Sequence, residues 1–122
     1  LGYAFEGIKP FTEVVGTANT ADLFFSARIC GADEALRIGL LKQMAPVEAF
    51  EEVVSAYVQM VCENAPLTLA AAKRTLLEIR ENPHEQDLAG VQAMVDACFT
   101  SEDYKEGRKA FAEKRTPQFQ GK

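Results

Sequence analysis

A chain of 122 residues is long enough for one buried core and short for a two-domain enzyme. Thirteen basic and eighteen acidic residues leave a net charge of −5, which argues against sequence-independent nucleic-acid binding, because that binding rests on cations neutralising phosphates. No apolar run approaches the roughly 18 residues of a membrane span, and the first residues lack the basic start and apolar run of a signal peptide, so a soluble chain off the membrane is expected.

In chain order the apolar residues recur at three and four rather than two, which predicts a mainly α protein of about six to seven helices with at most one short strand. FTEVVG reads as a short helix closed by Gly16, a residue able to take a left-handed cap. TADLFFSA, capped by Thr17 or Thr20, and ADEALRIGL, closed by Gly39, read as two more. LLKQMAP, residues 40–46, is the one segment with strand character. A lone short strand cannot satisfy its own backbone groups, so it must pair with something else or not form.

The next helix shows the clearest stripe: Phe50, Val53, Val54, Tyr57, Val58 and Val61 cover three turns. Pro46 suits its first turn, Glu48 and Glu51 suit the positive end of its dipole, and it should stop near Asn64. Pro66 opens a helix expected to turn Leu69, Ala72, Leu76 and Ile79 inward, leaving Lys73, Arg74 and Arg80 for solvent or the helix end. ENPH, residues 81–84, breaks it, because a residue before proline is pushed out of the helical region. Leu88, Val91, Val95, Cys98 and Phe99 then share one face, and Ser101 is placed to cap a final helix with Glu102 and Asp103 in its first turn.

Few of these residues suggest chemistry. His84, the single histidine, lies in a helix-breaking turn without an orienting acid or nucleophile nearby. Cys30, Cys62 and Cys98 are odd in number and far apart, which offers neither a disulfide framework nor a metal knuckle; with one histidine, no zinc set is furnished. Reduced thiols in a cytoplasm are expected. Glu51 with Glu52, and Glu78 with Glu81, read as solvated helix faces. The glycines form no phosphate-cradling loop and no nucleophile elbow. Spacing alone therefore describes a helical domain without an evident catalytic set.

The last helix differs from the rest in charge. Residues 101–122 carry six basic residues against four acids, while the first 100 carry seven against fourteen. Tyr104, Gly107 and Phe111 fall on one face, with Lys105, Arg108 and Lys109 elsewhere and Lys114 one turn on. An aromatic beside a lysine suits stacking on a base while pairing with a phosphate. A core phenylalanine beside a solvated lysine would give the same pattern.

Three segments together resemble the enoyl-CoA hydratase/isomerase (crotonase) superfamily. LFFSARICGADEALRIGLLKQMAP resembles the family's helix and "A-x-E-A-x-x-x-G-L-V" turn before a short strand. ENAPLTLAAAK is similar to its "N-A-P" helix start, with Lys73 at the matching lysine. SEDYKEGRKAFAEKRTPQFQGK looks like its closing signature, an EG pair before AF, EKR, a proline and a final Phe. In this order the resemblance spans nearly all 122 residues.

The resemblance implies a helical C-terminal segment of a crotonase-like α/β spiral fold, with residues 1–45 ending the core and 46–122 forming a helical oligomerisation region. It implies further that the spiral's oxyanion-hole amides and the two catalytic glutamates would precede Leu1; Glu6 matches neither. No catalytic residue is therefore expected within this chain, and no cofactor: a coenzyme A thioester is the substrate. Phe111 and Lys114 match positions that touch the adenine and phosphate end of coenzyme A. Tyr3 and Phe5 fall, more loosely, near a region lining the acyl pocket. The implied partners are acyl-CoA and further copies of the chain, trimer-type where the rest of the fold is present, with no metal, nucleic acid or membrane. The alternative expectation is a stand-alone helical module for oligomerisation or coenzyme A binding, and the bland one a helical domain whose apolar faces meet a protein partner.

Overall fold

Gly16 sets the course of the first fifty residues. In the computed structural model, which describes residues 2–122, helix α1 (Phe5–Ser26) is broken at Gly16, whose φ of 80° and ψ of 161° lie outside any helix. The Asn19 amide donates to the Val15 carbonyl at 2.7 Å and the Thr20 hydroxyl to the Gly16 carbonyl at 2.8 Å, so the carbonyls exposed by the break are satisfied by nearby side chains. The helix starts six residues earlier than FTEVVG suggests and carries Pro10 inside it. It closes on Ala27 in the left-handed conformation.

A β-carbon at position 16 would meet nothing within 4 Å, so substitution there acts through the backbone alone. That φ/ψ region is essentially restricted to glycine, and Gly16→Ala is expected to destabilise the chain by about 1–3 kcal/mol. Urea denaturation checks this; an unchanged midpoint would mean that the kink straightens without penalty.

Helix α2 (Ala32–Arg37) follows, and residues 40–46 run on without regular structure. No strand forms among the described residues, as expected where a lone strand has no neighbour to pair with. A 3₁₀ turn (Val47–Ala49) after Pro46 feeds α3 (Phe50–Cys62). Then come α4 (Pro66–Glu78), opened by its proline; α5 (Leu88–Thr100), capped by the Asp87 carboxylate at 2.8 Å from the Gly90 amide; and α6 (Glu102–Glu113), capped by the Ser101 hydroxyl at 3.0 Å from the Tyr104 amide. None of these helices is long and apolar enough to cross a membrane.

The chain divides into two compact units, residues 1–50 and 51–122. In the first, Val15, Thr20 and Ala35 are buried. Arg28 joins the end of α1 to α2 through a fork on Glu34 (2.6 and 2.7 Å) and a second carboxylate, Asp22. This guanidinium holds Glu34 below the usual carboxylate range, while desolvation, followed by the charge of Glu34, raises the Cys30 thiol.

In the second unit α4 packs on α5 and α5 on α6. The face of α4 expected to turn inward does not. Leu76 and Ile79 are 65% and 67% exposed, and the buried positions are Ala71 and Glu78. Leu88 and Phe99 of α5 are likewise exposed, as are Val54, Tyr57 and Val58 of α3, although Val53 and Val61 are part-covered.

Glu78, read above as solvated, is 6% exposed. Its carboxylate accepts the Asp87 amide at 2.8 Å and pairs with Arg74 at 2.7 Å, and Arg74 reaches Asp87 at 3.1 Å. Arg74 is thus a bridge between α4 and the α5 cap rather than a solvent charge. Glu81 and His84 are exposed, as expected.

Candidate functional site

Helix α6 and the nine residues after it are tied together by a dense set of polar contacts. The helix ends in a Schellman motif: Lys114 takes φ 54°, ψ 40°, its amide reaches the Phe111 carbonyl at 3.2 Å, and the Arg115 amide reaches the Ala110 carbonyl at 3.0 Å. Glycine is the usual occupant of such a left-handed position. Here a lysine holds it, exposed, with no hydrogen-bond or ion-pair partner for its ammonium among the described residues.

Arg115 is engaged on every side. Nε donates to Glu113 at 2.7 Å, Nη1 and Nη2 grip the Glu106 carboxylate at 2.6 and 2.8 Å, and Nη1 also reaches the Thr116 carbonyl at 3.2 Å. Glu106 accepts the Gln118 amide as well, at 2.9 Å. The arginine fork first, and then that amide, hold the Glu106 pKa down at about 2. A carboxyl depressed in the folded state contributes stability that is present above its ordinary pKa of 4.5 and is lost as pH falls through about 2. Glu106→Gln is therefore expected to flatten the loss of stability between pH 4.5 and about 2, read from denaturation midpoints at successive pH values. An acid limb as steep as the unaltered chain's would contradict it.

The tail returns along α6 and is tied at its end. Asp103, only 4% exposed, accepts the Gln120 and Gly121 amides at 2.7 Å each, and its own amide donates to the Lys122 carbonyl at 3.0 Å. Phe119 lies against Gly107, where a β-carbon would stand 3.4 Å from its ring. The glycine of the EG pair is thus a landing place for an aromatic ring from the tail.

α4, α5, α6 and this tail enclose an open apolar groove of about 580 Å³, with Ala71, Cys98, Tyr104, Phe111 and Phe119 among its walls. Tyr104 meets Phe99 edge-on at 5.5 Å, and the Arg108 guanidinium stands 5.8 Å from the Tyr104 ring centre. Arg108 thus belongs to the aromatic face from which spacing had separated it. Lys105 pairs with Glu102 at 2.6 Å.

Of the residues singled out from sequence, Phe111 and Lys114 stand together at the end of α6, and Phe111 is 87% exposed, so it is not a core side chain of this chain. Tyr3 and Phe5 belong to the other unit. Tyr3 packs edge-on to Phe24 at 4.8 Å, and Phe24 on Phe11 at 5.6 Å; Phe5, the first residue of α1, is exposed. Sequence reasoning missed Asp103, Glu106 and Arg115. The signal was present in the local charge switch, but the contacts of Asp103 with the tail amides and of Glu106 with Arg115 span 9 to 18 residues.

A family model described as enoyl-CoA hydratase/isomerase matches residues 4–122. The chain is 34% identical over 121 residues to a methylmalonyl-CoA decarboxylase of Escherichia coli, covering 98% of this chain and 46% of that protein. It is 36% identical over 118 residues to a probable enoyl-CoA hydratase of Bacillus subtilis, covering 96% and 46%. The crystal structure of an enoyl-CoA hydratase from Mycobacterium marinum is similar with a TM-score of 0.82 at 30% identity, over 100% of this chain and 48% of that one. The chain thus spans just under half the length of the relatives it matches, and those relatives carry the names of different reactions. With the family model covering nearly every residue and the helical fold shared, the chain belongs to the enoyl-CoA hydratase/isomerase family.

Proposed function

We propose that this chain holds the nucleotide end of an acyl-CoA thioester, with Phe111 stacking on the adenine and Lys114 pairing with a phosphate. The observation that supports the reading is Lys114 itself. A lysine in a left-handed cap gives up the conformational ease that glycine would have, while its ammonium stays unengaged among the described residues. An exposed aromatic ring three residues earlier completes a base-and-phosphate pair.

The thioester chemistry belongs to groups outside residues 1–122. Enolate-type charge needs preorganised amide donors and an acid–base pair, and neither the exposed His84 nor the ion-paired carboxylates described above are set out for that work. No cofactor is required on this reading, the coenzyme A thioester being substrate. Tyr3, with Phe24 behind it, and Phe5 are proposed to line the acyl end. Residues 46–122 are proposed to carry self-association, supported by the exposed apolar side chains of α3 and α4, which favour burial against another surface. Sedimentation of the pure chain tests that part.

Lys114→Gly separates a structural role from a ligand role. It is expected to raise stability by about 1 kcal/mol, because glycine adopts the left-handed cap freely, and to weaken coenzyme A binding measured by calorimetric titration. Crotonyl-CoA hydration by the unaltered 122-residue chain is expected to be absent. Reproducible turnover would overturn the assignment of the chemistry to groups elsewhere, and unchanged coenzyme A affinity in Lys114→Gly would overturn the site.

A further inference from the structure

We infer that Arg115 is a positioning residue for the phosphate contact of Lys114. Its forked guanidinium holds the left-handed turn in place and keeps the adjoining Glu113 carboxylate off the lysine's ammonium. This rests on the coenzyme A reading above and deepens it.

A residue with a β-carbon leaves the left-handed region unless its neighbours hold it there. Here both neighbours of Lys114 are held by one group: Arg115 bonds Glu113, the residue before Lys114, and Glu106, two turns back on α6. Glu106 in turn accepts the amide of Gln118, so the chain after the turn is anchored to the same carboxylate. The Arg115 amide closes the Schellman motif on Ala110. Lys114 is therefore bracketed by contacts converging on a single guanidinium.

The second effect is electrostatic. Glu113 adjoins Lys114 in sequence, and a free carboxylate there would compete with a ligand phosphate for the lysine. Arg115 engages that carboxylate at 2.7 Å, and the Lys114 ammonium has no acid partner among the described residues. Lysine could not hold Glu113 and Glu106 together from position 115, because a single ammonium lacks the planar fork that spans two carboxylates.

The test uses adenosine 3′,5′-bisphosphate, titrated calorimetrically at low salt into the 122-residue chain and its variants, with unphosphorylated adenosine as the control. Arg115→Lys keeps the charge and is expected to weaken bisphosphate binding about threefold to tenfold without changing adenosine binding. In a Lys114→Ala background the same substitution is expected to have no further effect, a coupling that a merely structural role would not produce. Glu106→Gln, which leaves the Arg115–Glu113 pair in place, is expected to weaken the bisphosphate in the same direction and serves if Arg115→Lys fails to fold. If Lys114→Ala loses affinity while Arg115→Lys and Glu106→Gln bind like the unaltered chain, the positioning role is wrong and the coenzyme A reading stands. If the Arg115→Lys loss persists undiminished in Lys114→Ala, Arg115 acts by itself and the positioning role is likewise wrong. If Lys114→Ala binds like the unaltered chain, or the unaltered chain does not bind, the coenzyme A reading fails and the inference falls with it.

Discussion

Asp103→Ala is expected to release residues 118–122 from α6 and to destabilise the chain by about 3–5 kcal/mol, the largest effect of any single change considered. The carboxylate is almost wholly buried and accepts two backbone amides, those of Gln120 and Gly121, each at 2.7 Å. Alanine would leave both amides without this acceptor, and a hydrogen bond to a charged group contributes about 1.5–3 kcal/mol. The negative charge also lies in the first turn of α6, where it interacts favourably with the helix dipole, and alanine removes that as well.

Asparagine retains one acceptor but turns an amide group toward one of the two donors. Asp103→Asn should therefore be intermediate, at about half the alanine effect. Denaturation gives the stabilities, and hydrogen exchange at the amides of Gln120 and Gly121 shows where the loss occurs. Full protection of those two amides in Asp103→Ala would refute the tethering account even if stability fell. Loss of the tether also frees Phe119 from Gly107 and so removes one wall of the apolar groove.

Glu78→Ala is expected to cost about 2–4 kcal/mol, the second largest effect, and to act at the junction of α4 and α5. The Glu78 carboxylate is the acceptor for the Asp87 amide, and Asp87 in turn caps α5 through the Gly90 amide. Removing the carboxylate orphans the part-buried amide of the capping residue itself and leaves Arg74 with Asp87 as its remaining partner. Arg74 would then pull on the carboxylate that caps the helix. Glu78→Gln keeps an oxygen for the Asp87 amide and loses only the charge, so it should cost about 1 kcal/mol. Equal losses in the two variants would show that the ion pair with Arg74, rather than the amide contact, is what matters.

Both predictions concern acids whose burial spacing did not show, Glu78 having been read as solvated and Asp103 only as a first-turn acid, and for the same reason. Glu78 shares an α4 face with Ala71 rather than with the larger Leu76 and Ile79, so the hydrophobic stripe pointed to the wrong side of the helix. Asp103 sits where an acid in a helix's first turn ordinarily needs no explanation beyond the dipole. In each case the decisive partner is remote: nine residues away for Glu78, and seventeen and eighteen for Asp103. Periodicity reports which side chains share a face and is silent about which face meets a neighbour. Arg108 shows the same limit, since its place over the Tyr104 ring is reached across one helical turn by a long side chain.

The helix boundaries were far more legible. Pro66 opens α4, ENPH ends it, Ser101 caps α6 and Gly16 breaks α1, each through a local backbone preference that needs no tertiary contact. Spacing placed Phe111 and Lys114 near each other at the end of the last helix, with a core phenylalanine beside a solvated lysine as the rival reading, and only the closing signature pointed to coenzyme A. What the amino-acid order determined by itself was the succession of helices, their caps and breaks, and membership in the family. What only the tertiary structure decided was the buried face of α4, the two acids that tie the second unit together, and the arginine fork beside Lys114. Local preferences act over three or four residues and can be read from the chain, whereas the burial of a charge is settled by donors that folding brings to it from far along the sequence.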